Sequence, residues 1–553
     1  MSDSAVPPVS GAIAIFAEVL RHGLQAVAEE MGAALIRTAY SINIRDRRDF
    51  SCAVFDAAGR LIAQAEHIPV HLGLMGGLIA RCRAATGGDL PPGGMWVVND
   101  PWISGSHLPD IVLIAAADIE DGRIGYVANM AHHVDVGGLA PGSLALGVTE
   151  ITQEGLRLPP TVLVRNGDVD PNILRIIAAA SRLPEMVIGD LMAQVAANKT
   201  GLRRLGELAG RAGRARFDNA VGFLLAATAR RVEDRLRMLE GRAAAFEDTL
   251  EWQDGERPDD LVIRVALSVA DGRLRADFNG SAPQVAGPVN ATPLVTASCL
   301  LYAVKSYLDP HIGSNDGLFE RLDLVLPEAS LVAAAPPMPV ALCTSIASQR
   351  ICDVLIGAFN RLMPDQAMAA SSGSMNALII GGDDVRTGRR FSYVETYAGG
   401  QGATSGLDGA DAVHTHMTNT ANSPVEMMER DYPFDVLGYG LAEGTGGAGQ
   451  YRGGHGVVRT LRLLSDATVT THLDRTRTDP WGIQAGGAGG RSVVTVERNG
   501  ERRSLAGKST QHLRAGDILE IRTAGGGGCG DAARRDARAA ERDTACGLGF
   551  RTA

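Results

Sequence analysis

MWVVNDPWISGSHLPDIVLIAAADIEDGRIGYVANMAHHVD, residues 95–135, decides how the chain is read. Three short apolar runs, at 95–100, 111–119 and 123–131, are separated by turn residues, the pattern of an antiparallel meander. In a meander the end of the first run, the start of the second and the end of the third share one rim. That rim gathers Asp100, His107, Asp110, His132, His133 and Asp135. Pro109 excludes a regular helix between the first two runs, so His107 and Asp110 are offered from a loop. Imidazoles and carboxylates without a thiolate suit Zn, Fe or Mn in an open, water-holding site rather than a closed structural zinc. On spacing alone the bland reading, strand caps and satisfied loop backbone, stays open beside the metal.

Outward from this stretch the pattern alternates between helix and strand. Phe16, Leu20, Leu24, Val27 and Met31 step by three or four, which predicts a helix over 11–40. Residues 50–64 read as a hairpin turning at Asp56–Gly59, and 261–281 as another turning at Asp271–Gly272. Between them, 171–251 reads as helical, with Asp218 as an N-cap candidate. The fold class expected is α+β and multidomain, with antiparallel sheets, packed long helices and a β-rich C-terminal region. The segments expected are 1–170 around the rim, 171–251 helical, 252–335 with the hairpin, 336–447 Gly-rich and mixed, 448–530 β, and a tail at 531–553.

Composition narrows the function classes. With 53 basic and 63 acidic side chains the net charge is −10, which argues against a nucleic-acid surface. Seven cysteines without a C-x-x-C pair argue for a reducing compartment, so the cytoplasm is expected. No basic n-region precedes the apolar run of the first 20 residues, and no stretch reads as a membrane span, so neither leader nor membrane anchor is expected. Glycine is the outlier, 67 of 553 residues, about 12% against a usual 7%.

Other candidates are weaker. Arg45, Asp46, Arg47, Arg48 and Asp49 read as a solvated charge run, although Asp49 directly precedes a strand and can join the rim. His67 and His71 flank Pro69 and read as core or loop histidines. His414 and His416, two apart, face the same way if the segment is extended. Ala506–Ser509 mimics the end of a phosphate loop, but Arg502 stands where its first glycine belongs. The runs at 486–490 and 525–528 read as turns, and no nucleotide site is legible anywhere.

Eight ordered stretches carry a resemblance: NIRDRRDFSCAVFDAAGRLIAQAEHIPVHLG, VVNDPWISGSHLPDI, YVANMAHHVDVGG, EGLRLPP, DFNGSAPQVAGPVNAT, GSMNALIIGG, HTHMTNTANSPVE and GTGGAGQYRGGHGVVR. By these the sequence resembles the hydantoinase B/5-oxoprolinase family, related to the large subunits of acetone and acetophenone carboxylases. The resemblance implies a division of labour. A partner hydantoinase A-type subunit binds ATP and phosphorylates the carbonyl oxygen of a cyclic amide (a hydantoin, 5-oxoproline or a lactam), with phosphate as the leaving group. The B subunit then opens the ring with water, in an A2B2 hetero-oligomer. It also implies a divalent transition metal on Asp49, His107, Asp110 and His132, proton handling by Asp135 or His133, and substrate contact by His414 and His416. The rival readings are the large subunit of an ATP-dependent ketone carboxylase and a non-catalytic scaffold for the A subunit. Trp102, Cys343 and Ser345 depart from the family pattern, so the resemblance does not carry one substrate.

Overall fold

The computed structural model describes residues 11–548 except 66, 255, 256 and 259. The first ten residues, where no leader was expected, and the last five of the tail lie outside the described residues.

A seven-stranded sheet positions the rim. Its strands are β1 (Phe50–Asp56), β2 (Leu61–Ala65), β3 (Met95–Val98), β4 (Asp110–Ile119), β5 (Gly122–His132), β6 (Thr161–Arg165) and β7 (Asp168–Val169). Their order is β2-β1-β5-β4-β3-β6-β7, with every neighbouring pair antiparallel. The expected meander forms, and the first hairpin joins it along β5. Helices α1 (Gly11–Thr38) and α2 (Pro184–Ala212) pack on each other and on this sheet. The stripe predicted for α1 is its core face: Leu20, Leu24, Val27 and Met31 are buried. On α2 the sheet-facing side is partly polar. Gln194 donates to the Ile111 carbonyl at 2.8 Å and Asn198 to the Leu113 carbonyl at 3.1 Å, which fixes the helix against β4.

Two sequence expectations fail here for identifiable reasons. Residues Ala243–Leu250 form a strand, β8, because they pair antiparallel with β9 (Leu261–Ala270), and that pairing overrides the helix propensity of the three alanines. Asp218 is no N-cap. The helix containing it starts at Arg214, so Asp218 sits one turn in and pairs with Arg214 at 2.6 Å. The hairpin at Asp271–Gly272 forms as expected, between β9 and β10 (Arg273–Asp277).

The C-terminal region is β-rich, with its own apolar core from Leu378 to Ile521. One sheet joins Ala377–Asp384, Arg389–Thr396, Ala467–His472 and Lys508–Leu513. Lys508 and Ser509 therefore sit on a strand, not in a phosphate loop. The glycine runs are not simple turns. They lie side by side and bond to one another: Gly454 N–H to Gln401 O at 2.8 Å, Gly526 N–H to Gly454 O at 2.9 Å, and Gly447 N–H to Gly526 O at 2.8 Å. A Cβ on Gly453 would stand 1.9 Å from the Gly526 carbonyl oxygen, and one on Gly526 2.0 Å from that of Gln401. Backbone occupies the space a side chain needs, so composition here is packing. Gly526→Ala is expected to cost at least about 1–3 kcal/mol, read as a fall in the urea midpoint; an unchanged midpoint would disprove the close packing.

Candidate functional site

Three neighbouring strand ends bring the ligand-type side chains together. Asp110 opens β4 and is the register partner of His132, which closes β5. Asp49 directly precedes β1, and its carbonyl accepts from the His132 N–H at 3.0 Å. Residues opposite one another on adjacent strands hold their Cβ atoms about 5 Å apart, which puts Asp49, His132 and Asp110 in a row. His107 reaches them from the loop before β4. His132 Nδ1 lies 2.9 Å from Asp110 Oδ1 and 3.1 Å from His107 Nε2, and His107 Nε2 lies 3.3 Å from Asp110 Oδ2. The Ser106 hydroxyl donates to Asp110 Oδ2.

This cluster lines a cavity of about 50 Å³, room for an ion and a few water-sized atoms. Asp49, His71, Arg47, Thr344, Ser345, Thr396, Thr418 and Thr420 share its wall. His107, Asp110 and His132 fit a transition metal on their own features. Their donor atoms lie within 4.8 Å of one another, all three residues are buried, and His132 Nε2 is buried without a partner. Two imidazoles and a carboxylate are the donor set of open Zn, Fe or Mn sites.

Electrostatics favour positive charge at this point. Burial opposes a proton on His107, but the Asp110 carboxylate and the Ala341 carbonyl outweigh it and raise the imidazole to about 9. Burial likewise opposes Asp110, but His107, His132 and His71 hold its carboxyl well below the usual range. The His107 Nδ1–H points at Ala341 O at 2.8 Å, which leaves Nε2 to face Asp110.

Glu154 supports that contact from behind. Its Oε1 accepts from the Val340 and Ala341 N–H groups at 2.8 and 2.7 Å. Burial pushes its carboxyl up to about 8. Because that folded value lies above the usual value near 4.3, the associated stability is full below about pH 4.3 and is lost as pH rises through about 8. Glu154→Gln keeps the carbonyl acceptor and removes the titration, so its thermal midpoint is expected to vary less between those pH values than the wild type's. Equal pH dependence in the two proteins would count against this assignment.

Other expected site residues are placed elsewhere. His133 directly follows the end of β5 and faces away from His132, where its Nε2 meets Gln194 Oε1 of α2 at 2.9 Å. Asp135 is fully buried, paired with Arg182 at 3.1 Å and accepting from the Gly137, Gly142 and Arg182 N–H groups. Neither lines the cavity. Asp100 caps the short helix Pro101–Ser104 through the Trp102 N–H at 3.1 Å and pairs with Arg157 at 2.9 Å.

His414 and His416 do not share a direction, because His416 has φ +54° and the segment is not extended. His414 sits 3.4 Å from both the Thr418 and Thr420 hydroxyls, which line the cavity. His416 turns to Tyr302 OH at 3.4 Å and Asp353 Oδ1 at 3.5 Å. Two cavity residues named in the sequence take a different place from the one expected of them. His71 places Nε2 3.8 Å from Asp110 Oδ2 and Nδ1 3.0 Å from Ser51 Oγ. Arg47 is buried rather than solvated, and the only signal for it was its place two residues before Asp49, which directly precedes β1.

A sequence profile described as Hydantoinase B/oxoprolinase matches residues 14–532. The chain belongs to the hydantoinase B/oxoprolinase family. It is 40% identical to an uncharacterized protein of Methanocaldococcus jannaschii, over 94% of this chain and 91% of that one. It is 32% identical to 5-oxoprolinase 1 of Arabidopsis thaliana, over 93% of this chain but 41% of the relative, so it spans about two fifths of that longer protein. Among solved structures it resembles the ATP-dependent caprolactamase from Pseudomonas jessenii, with TM-score 0.90 and 23% identity over 99% of this chain and 95% of that chain. It also resembles a nucleotide-free acetone carboxylase, with TM-score 0.88 and 18% identity over 97% of this chain and 78% of that chain. Both likenesses speak to the fold, which this family member shares. No helix among its described residues is long and apolar enough to cross a membrane.

Proposed function

We propose that this family member is the hydrolytic B subunit of an ATP-dependent cyclic amide hydrolase, opening a ring whose carbonyl oxygen a partner A-type subunit has phosphorylated. The observation that carries the reading is the buried His107–Asp110–His132 cluster facing a cavity of about 50 Å³. We assign His107, Asp110, His132 and the adjacent Asp49 to one divalent transition metal, which when bound supplies Lewis-acid activation of a water at neutral pH.

The chain's own residues do the rest. Asp110 holds both imidazoles in place, with its second oxygen fixed by Ser106. His71, anchored by Ser51, is the imidazole outside the assigned ligand set that faces Asp110 in the cavity, and it takes the proton role expected of His133 or Asp135. His133 and Asp135 position β5 and the segment after it. Apolar walls at Ile68, Val70, Leu144 and Val394 keep bulk water from the activated carbon. In the reaction, one water oxygen bonds the former carbonyl carbon and the ring C–N bond breaks, with a proton going to nitrogen. A second water releases the phosphoryl group as inorganic phosphate.

The cavity is too small for a whole ring, so we place the reacting carbonyl here and the remainder of the ring where the wall yields. Coverage of 95% of the caprolactamase chain against 78% of the carboxylase chain favours amide opening over ketone carboxylation. Seven free cysteines, six of them buried, suit the cytoplasm we assign. Co-purification with an A-type subunit should yield ATP-dependent opening of at least one of hydantoin, 5-oxoproline or caprolactam, with neither subunit active alone. ATP hydrolysis by this chain alone, or bicarbonate-dependent use of acetone without any ring opening, would overturn the reading.

A further inference from the structure

Four arginines have almost fully buried side chains: Arg47, Arg350, Arg459 and Arg475. Three are neutralised. Arg350 and Arg475 share Asp248 and Asp353, and Arg459 pairs with Glu395. Arg47 alone among them has no carboxylate within 4 Å among the described residues. Its partners are neutral acceptors: Asn43 Oδ1 at 3.2 Å, the Val394 carbonyl, and Thr396 Oγ1 at 3.1 Å. Its Nε, also buried, has no hydrogen-bond partner among the described residues. A guanidinium keeps its charge at any physiological pH, and burying it uncompensated is costly unless an anion completes it.

Arg47 heads a connected polar wall of the cavity that holds His107, Asp110 and His132. Thr396 Oγ1, which accepts from Arg47, lies 2.7 Å from Thr420 Oγ1. Thr420 and Thr418 are tied through the two ring nitrogens of His414, each at 3.4 Å. Burial and the neighbouring Arg47 push His414 down to about 4, so it stays neutral and adds hydrogen-bonding capacity without a second charge. Ser345 Oγ, on the π-helical turn Cys343–Ala347, lines the same cavity and is buried without a partner. One bare cation, three threonine hydroxyls and one unused serine hydroxyl form a donor set for oxygen anions.

We propose that Arg47, Thr396, Thr418, Thr420 and Ser345 form an oxyanion-binding subsite beside the metal cluster, which holds a phosphoryl or carboxylate group of the reacting molecule. The identity of that molecule rests on the ring-opening role proposed above; the subsite itself does not. The cavity's small volume then has a reason: this end admits the charged oxygens rather than the ring.

Isothermal titration of the purified full chain with inorganic phosphate and, separately, with acetate tests the subsite without any turnover. At least one of the two is expected to bind saturably, with affinity falling about tenfold or more in Arg47→Met and less in Arg47→Lys. Thr420→Val, which keeps the cation, should weaken the same anion by a smaller factor and serves if Arg47→Met fails to fold. Arg47-dependent binding of phosphate identifies the phosphoryl group as the occupant, and of acetate alone a carboxylate. No saturable binding of either anion, or equal affinity in wild type and Arg47→Met, would overturn the proposal. Arg47-dependent binding in a chain that opens no ring with its partner would retire the ring-opening role and leave the subsite standing.

Discussion

Asp110→Asn is expected to lower partner-dependent turnover by about 10³-fold or more while leaving the chain folded. Asp110 is the hub of the cluster: both imidazoles and the Ser106 hydroxyl address its two oxygens. Asparagine keeps the shape and the cross-strand pairing with His132, so β4 and β5 have no reason to separate. What it removes is the charge that draws a proton to His107 and, by the same Coulomb attraction, a metal cation to the cluster. Its amide also turns an N–H toward one of the two rings. Lewis-acid activation is worth several kcal/mol at the transition state, and about 1.4 kcal/mol corresponds to each tenfold in rate. Steady-state assays with the partner, alongside circular dichroism, separate the two effects; near-normal turnover in a folded Asp110→Asn chain would remove the cluster from the chemistry.

Arg350→Ala is expected to destabilise the chain by about 3–5 kcal/mol, the usual cost of breaking a buried ionic network on one side. Its fully buried guanidinium meets Asp248 at 2.9 Å and Asp474 at 2.6 Å, while Arg475 meets Asp248 at 2.7 Å and Asp353 at 2.9 Å. Lys508 reaches Asp474 at 2.5 Å. The network ties β8 and the helix Ser348–Leu362, which belong to the larger core, to the segment after the strand Ala467–His472, which belongs to the smaller one. Without Arg350, three carboxylates share two cations in a dry setting.

Acid behaviour should change as well. Burial opposes ionisation of Asp248, but Arg350 and Arg475 outweigh it and hold its carboxyl well below the usual range. A depressed folded value gives stability that is present above the usual value near 3.9 and is lost as pH falls below it. The variant should therefore lose part of that contribution and unfold at a higher pH than the wild type. Urea midpoints at pH 7 and an acid titration read both effects; a loss under about 1 kcal/mol would mean that the network is not what joins the two cores.

Much of the site was legible because a meander is a local object. Runs that are short, apolar and closely spaced leave little choice of pairing, so Asp110 and His132 were bound to meet once the strands were recognised. The same reasoning misplaced His133, although alternation along a strand already separates it from His132. Residues delivered from far away were not legible. Thr344 and Ser345 arrive on a π-helical turn, and Val394, Thr396, Thr418 and Thr420 arrive from the C-terminal region, more than 250 residues from the meander in sequence. Periodicity says nothing about which side of a distant strand closes a cavity. Arg47 was hidden by its charged neighbours, since a run of alternating charges looks solvated until one member is found packed under Val394 and Thr396.

The glycine-rich composition was visible at once, but its meaning was not. A sequence shows permissive residues, whereas the contacts at Gly453 and Gly526 show backbone packed against backbone, where no side chain fits.

Elemental analysis of the purified chain decides whether the His107–Asp110–His132 cluster holds a metal. Wild type should carry about one divalent transition-metal ion per chain, and Asp110→Asn and His132→Ala should carry almost none while still binding the A-type partner. A metal-free wild-type chain that opens the ring with its partner and ATP would contradict the account.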